Sequence, residues 1–142
     1  DAVHLTRQTS ERITGTPAYM APEVILGATE VDPRVDIYAL GCVAYFLLTG
    51  QLVFVGTTPM KTLLKHVEET PVPPSQRTEV AVPPVLDALI LRCLEKDPVR
   101  RPKDAQAVLH LVRECRIGRR WDDDRARGWW EMHLPELSAP HP

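Results

Sequence analysis

Apolar residues recur at helical spacing over most of this chain, and no convincing alternating stretch appears, which predicts a mainly α-helical fold with little or no sheet. Residues 1–14 carry Thr6, Thr9, Ser10 and Thr14 with Arg7 and Arg12 between them; no period emerges, so this is a loop. Ala21 to Leu26 predicts a brief helix that Gly27 stops. From Arg34 to Thr49 the chain is apolar on nearly every side, with Ile37, Leu40, Val43, Ala44, Phe46, Leu47 and Leu48, and Gly50 ends the run. A helix apolar all round belongs at the centre of something larger.

A third helix opens at Thr57 or Thr58 with Pro59 in its first turn, and Met60, Leu63, Leu64 and Val67 form its stripe. Thr70 to Pro84 holds five prolines and is read as an ordered loop or extended segment. Pro84 leads a fourth helix bearing Val85, Leu86, Leu89, Ile90, Cys93 and Leu94 on one face, which the turn Lys96-Asp97-Pro98 ends. A fifth helix is predicted from about Pro102 to Arg116, facing Ala105, Val108, Leu109, Val112 and Cys115 inward. The last, from Asp122 to about Leu134, has three acids in its first turn and is expected to bury Ala126, Trp129, Trp130 and His133.

Composition narrows the function classes. A net charge of −2 over 142 residues gives no global basic field for nucleic acid or anionic membrane. The mixed run Arg116 to Arg127 reads as a self-paired, solvated surface. The longest apolar run, Val35 to Leu48, is shorter than the roughly 20 residues that span a bilayer. Cys42, Cys93 and Cys115 are widely spaced within apolar helical patterns, so buried reduced thiols are expected and no CxxC pair suggests zinc. With no signal pattern in view, a cytoplasmic setting is expected. The start at Asp1 rather than Met suggests that the chain is part of something longer.

Four segments then carry a resemblance. Gly15-Thr16-Pro17-Ala18-Tyr19-Met20-Ala21-Pro22-Glu23 resembles the end of a protein kinase activation segment, with its Ala-Pro-Glu signature. Asp36-Ile37-Tyr38-Ala39-Leu40-Gly41 resembles that family's Asp-x-Trp-x-x-Gly, with Tyr38 for the Trp. Cys93 to Pro98, and then Arg101-Pro102, resemble the turn between its last two large helices. The Gly-Thr-Pro-x-Tyr form is similar to serine/threonine rather than tyrosine kinases, and Trp121 to Leu137 looks like bacterial members.

The resemblance implies roles for particular residues. Gly15, Thr16, Pro17, Ala18 and Tyr19 would form the wall that binds the residue following the target Ser or Thr. Thr16 would hydrogen-bond the catalytic-loop Asp and Lys, and Asp36 would anchor that loop through its backbone N–H groups. Glu23 and Arg101 would form a buried ion pair, and Gly41 is a structural position of the same pattern. Thr9 and Ser10 stand where bacterial members often phosphorylate themselves, close to Arg7 and Arg12.

Phosphoryl transfer also needs a glycine-rich loop, a strand lysine, a catalytic Asp, a metal-binding Asn and an Asp-Phe-Gly aspartate. None of their motifs occurs here, and all would precede Asp1. The expected fold is the helical C-terminal lobe of a protein-kinase-like fold, without its sheet-rich N-terminal lobe. Residues 1–116 would be a partial kinase domain, with the activation segment at 1–23, the helical lobe at 21–116, an extension at 117–134 and a flexible tail at 135–142. The chain is expected to supply no catalytic residue, metal ligand or cofactor contact itself, ATP and Mg2+ being implied for the intact kinase. Its partners would be that kinase's protein substrates, with no nucleic acid and no membrane contact. The alternative is a non-catalytic binding module or an inactive fragment.

Overall fold

The computed structural model describes residues 16–30, 32–115 and 121–134. Six α-helices follow in chain order: α1 (Pro22–Ile25), α2 (Arg34–Thr49), α3 (Pro59–Glu68), α4 (Pro84–Cys93), α5 (Ala105–Glu114) and α6 (Asp123–His133). Short 3₁₀ turns lie at Pro17–Tyr19, Pro74–Gln76 and Pro98–Arg100. Among the described residues no strand forms, and no helix is long and apolar enough to cross a membrane.

The helix boundaries follow from local chemistry. Thr58 caps α3 by accepting the Lys61 N–H, and Pro59 fills the first turn, where its missing N–H costs nothing. Gly50 ends α2 in the left-handed conformation, at φ 67°, and returns its N–H to the Phe46 carbonyl. The fifth helix starts later than the sequence predicts, at Ala105 rather than Pro102. Asp104 is the better cap, taking the Ala107 N–H at 2.7 Å, while Arg101 stays extended.

Helix α2 is the axis of the packing. Its Tyr38, Cys42 and Tyr45 join Val53, Phe54, Ile90 and Leu94 in one core cluster. Ile37 turns to a second, with Leu89, Cys93, Val108 and Cys115. Met20, Ile25 and Leu63 form a third, between the start of the described chain and α3. Gly41 lets α2 and α4 touch: a Cβ there would come within 2.8 Å of Cys93 Cβ, closer than side chains tolerate.

Two expectations about burial are overturned. On α5, Val108 and Cys115 are buried, but Ala105, Leu109 and Val112 are not. They flank an open apolar groove of about 280 Å³ with Leu40 and Ala44 of α2 and Leu86 of α4, and nothing among the described residues covers it. On α6 no residue is buried. Trp129 and Trp130 are 42% and 47% exposed because α6 packs its aromatics on one another instead of on the core. Trp129 meets Trp130 edge-on at 5.1 Å and stacks on His133 at 4.4 Å.

The all-apolar helix is therefore covered on one side only. Leu40, Val43, Phe46 and Leu47 lie exposed, Leu47 at 76%. Each Å² of such surface left in water forgoes about 25 cal/mol, against a net domain stability of only about 5–15 kcal/mol. The chain on its own is expected to self-associate through this face. Sedimentation over a concentration series should show dissociation on Val43→Lys with Leu47→Lys. A monomeric wild type melting reversibly above about 60 °C, within the upper range for ordinary domains, would refute this.

Candidate functional site

The site is built around one guanidinium. Arg101 is buried, and its five N–H donors all find acceptors. Nη1 donates to Glu23 Oε1 at 2.7 Å and to the Arg34 carbonyl at 3.0 Å. Nη2 donates to Glu23 Oε2 at 2.8 Å and to the Lys96 carbonyl at 3.1 Å. Nε donates to the Glu95 carbonyl at 2.8 Å. The bidentate contact matches the planar fork to the carboxylate. One side chain thus fixes the start of α1, the first residue of α2 and the turn after α4.

The turn Pro17–Tyr19 rests against α2 and α3. Thr16 precedes it in extended conformation, and its carbonyl accepts the Tyr19 N–H at 3.1 Å. Met20 and Ala21, next in the chain, are buried. Pro22 enters α1 at its first turn. Thr16, Tyr19, Met20, Ala21, Val24, Val35, Asp36 and Ala39 line one shallow depression of about 340 Å³. The structure therefore brings Thr16 and Asp36 to a common surface, although 20 positions separate them in the sequence. The Asp36 carboxylate is exposed at the α2 N-terminus, where the helix dipole favours a negative charge. Gly41 lies apart from this surface, at the α2–α4 contact. Gly15, Thr9 and Ser10 fall outside the described residues.

Sequence reasoning missed a polar group beneath the turn. The Tyr38 ring lies under the Arg101 guanidinium, 4.9 Å from its centre, and its hydroxyl is 2.8 Å from His66 Nδ1. His66 is fully buried on α3, edge-on to Phe54 at 5.0 Å. Lys96 donates to the His66 carbonyl at 2.7 Å and sits 4.5 Å from the Phe54 ring centre. Burial, first, and the neighbouring Lys96 charge push the His66 pKa down to about 4, against the opposing pull of the Ala18 carbonyl. Burial also lowers Lys96 to about 8. The available signal was His66 itself, placed on the same face of its helix as Leu63.

Two outcomes follow from this chemistry. Arg101→Lys cannot supply the planar five-donor fork, so it should destabilise the fold almost as much as Arg101→Met. Both should approach the ~3–5 kcal/mol typical of breaking a buried pair, read by urea unfolding; a Lys variant within about 1 kcal/mol of wild type, the range of surface pairs, would contradict this. The second concerns acid. With its folded pKa depressed to about 4 and an unfolded value near 6.5, His66 binds its proton first in the unfolded chain. Stability should be complete above about pH 6.5 and fall as pH drops toward 4, by up to about 3 kcal/mol from this group. His66→Gln should flatten the slope between pH 6.5 and 5; an unchanged slope in that variant would assign the acid sensitivity elsewhere.

Comparison with known proteins agrees with this geometry. Residues 2–112 match the family model described as protein kinase domain. The serine/threonine-protein kinase PknB of Mycolicibacterium smegmatis is 46% identical over 93 residues, covering 66% of this chain and 15% of that protein. Serine/threonine-protein kinase pkn3 of Myxococcus xanthus is 41% identical over 96 residues, 67% of this chain and 17% of the relative. PksC of Streptomyces coelicolor, also a serine/threonine-protein kinase, is 42% identical over 96 residues, with 68% and 17% covered. The chain thus spans about a sixth of the length of the curated relatives it matches. On the family match, the identities to bacterial serine/threonine kinases and the helical architecture of the described residues, this chain belongs to the protein kinase domain family and forms the helical lobe of that fold.

Proposed function

We propose that the whole protein transfers the γ-phosphate of ATP to serine or threonine hydroxyls of protein substrates. In this reading the present chain supplies the end of the activation segment and the substrate-docking helical lobe. The observation that carries it is the Arg101–Glu23 bond, which ties the segment end to the lobe and leaves Thr16 and Asp36 on one open depression. Residues 15–19 are the proposed substrate wall. Thr16 and Asp36 are the proposed holding points for the catalytic loop, Asp36 through its free acceptor lone pairs. ATP with magnesium would bring the transferable phosphoryl group and its charge neutralisation. In this reading the role of this chain is to position the protein substrate.

A cytoplasmic, bacterial setting is part of the proposal. It is supported by three free, buried cysteines, as a reducing compartment favours, and by the bacterial sources of the relatives named above. Thr9 and Ser10 are the proposed phosphorylation sites, where added charge of about −1.5 to −2 would draw Arg7 and Arg12 and order the segment.

The test is radiolabel transfer from ATP to a generic acceptor by the full-length protein, followed by mass spectrometry. Transfer to Ser and Thr, with phosphate at Thr9 or Ser10, is the expected result. No transfer would leave this chain a non-catalytic binding module. Activation-segment phosphate found only at Thr6 or Thr14 would reassign the sites.

A further inference from the structure

The His66 imidazole holds one good hydrogen bond and one unmatched atom. Nδ1 lies 2.8 Å from the Tyr38 hydroxyl, while Nε2 is buried without a partner of good geometry among the described residues. The Ala18 carbonyl, in the middle of the Pro17–Tyr19 turn, is near enough to favour a proton on the ring. A neutral histidine has two tautomers. With the proton on Nδ1, that N–H would donate to the Tyr38 oxygen, leaving the phenol hydrogen and the Nε2 lone pair both buried and unmatched. With the proton on Nε2, Tyr38 donates to Nδ1 and the Nε2–H lies on the side of the Ala18 carbonyl, short of a full hydrogen bond. The second arrangement leaves only the Nε2–H short of a well-formed bond, where the first leaves two groups unmatched, so burial favours the second.

The surroundings hold the ring in place. Phe54 packs edge-on at 5.0 Å, Lys96 grips the His66 carbonyl at 2.7 Å, and Arg101 lies over the Tyr38 ring at 4.9 Å. A chain of contacts therefore runs from the Glu23–Arg101 pair through Tyr38 to His66, on the helix that packs against the Pro17–Tyr19 turn. The Trp of the family pattern at position 38 would offer an indole N–H donor but no acceptor, whereas the Tyr38 hydroxyl can do both.

We propose that His66, in its Nε2–H tautomer, is a positioning residue for the Pro17–Tyr19 turn, and that through the turn it sets which side chain following the target hydroxyl is accepted. The second half rests on the kinase activity proposed for the whole protein; the first half does not. His66 touches neither substrate nor phosphate in this role. It fixes the shape of the surface that meets the substrate.

Hydrogen exchange by mass spectrometry on the full-length protein separates the two halves. The readout is the Tyr19 and Met20 amides, which bond within the turn to the Thr16 and Pro17 carbonyls. His66→Leu fills the space without a donor, and Tyr38→Phe removes the hydroxyl that selects the tautomer. Both should speed exchange there by about tenfold, with α5 unchanged, as a local opening does. His66→Gln returns an N–H near the Nε2 position and should restore most of the protection. Equal exchange in the Gln and Leu variants, or faster exchange spread equally over α5, would reduce His66 to a core filler and overturn the proposal. For the second half, peptides varied at the residue after the target Ser should show KM raised about tenfold in His66→Leu with kcat kept, the pattern of lost binding rather than lost chemistry. An unchanged KM beside accelerated exchange would overturn the substrate role alone. A wild type without kinase activity would instead defeat the proposed function, and the exchange comparison would still decide the positioning.

Discussion

The lobe is closed by the guanidinium of Arg101. Five donors leave it in one plane and reach a carboxylate and three carbonyls drawn from α1, α2 and the turn after α4. Those segments come from separate places along the chain, up to 78 positions from Arg101, so the bond sets their mutual placement as packing alone would not. Apolar contacts tolerate small slides. A bidentate pair with its remaining donors also engaged has one geometry, and a partner shifted out of it leaves a buried charge unmatched. The depression holding Thr16 and Asp36 inherits its shape from that constraint, because Glu23 and Arg34 each adjoin a lining residue in the chain, Val24 and Val35.

Helix α2 converts this anchor into a platform. Its buried side carries three different aromatic or thiol contacts into the core, and Gly41 brings α4 to within touching distance. Its other side is left part-exposed among the described residues. Such a helix has little amphipathic character of its own, and its outward face makes sense only in a larger assembly. The same element therefore supports the Pro17–Tyr19 turn, presents Asp36 at its N-terminus and exposes Leu40 and Leu47 along its length. The depression and the buried core share a single backbone, which is why the geometry of one depends on the packing of the other.

Most of the architecture was legible from residue pattern. The bounds of α2 follow from its apolar run and Gly50, and those of α3 and α4 from Pro59 and Pro84 as opening prolines. The pairing of Glu23 with Arg101 came from resemblance, since no local pattern joins residues 78 positions apart. Periodicity failed at α5 and α6 for one physical reason. It reports which residues share a face, and not whether anything covers that face. Leu109 and Val112 lie on the apolar side of α5 yet border an open groove, and the α6 tryptophans satisfy one another. The Tyr38–His66 contact was hidden differently. It is a cross-element match between two residues, each of which alone reads as an ordinary core side chain.

The three cysteines acquire a use from their burial. Desolvation pushes the Cys42 thiol up to about 12 and Cys93 up to about 11, and Cys115 is raised as well. Thiolate is the reactive species, so in the closed lobe these sulfurs are almost inert toward alkylating reagents. Cys93 meets Gly41 across the α2–α4 seam, and Cys42 lies one residue further along α2. Their modification therefore has to wait for the seam to part. The rate at which a mild electrophile labels them becomes a clock for breathing of the helical pair, carried within the native sequence and readable without adding a probe to the fold.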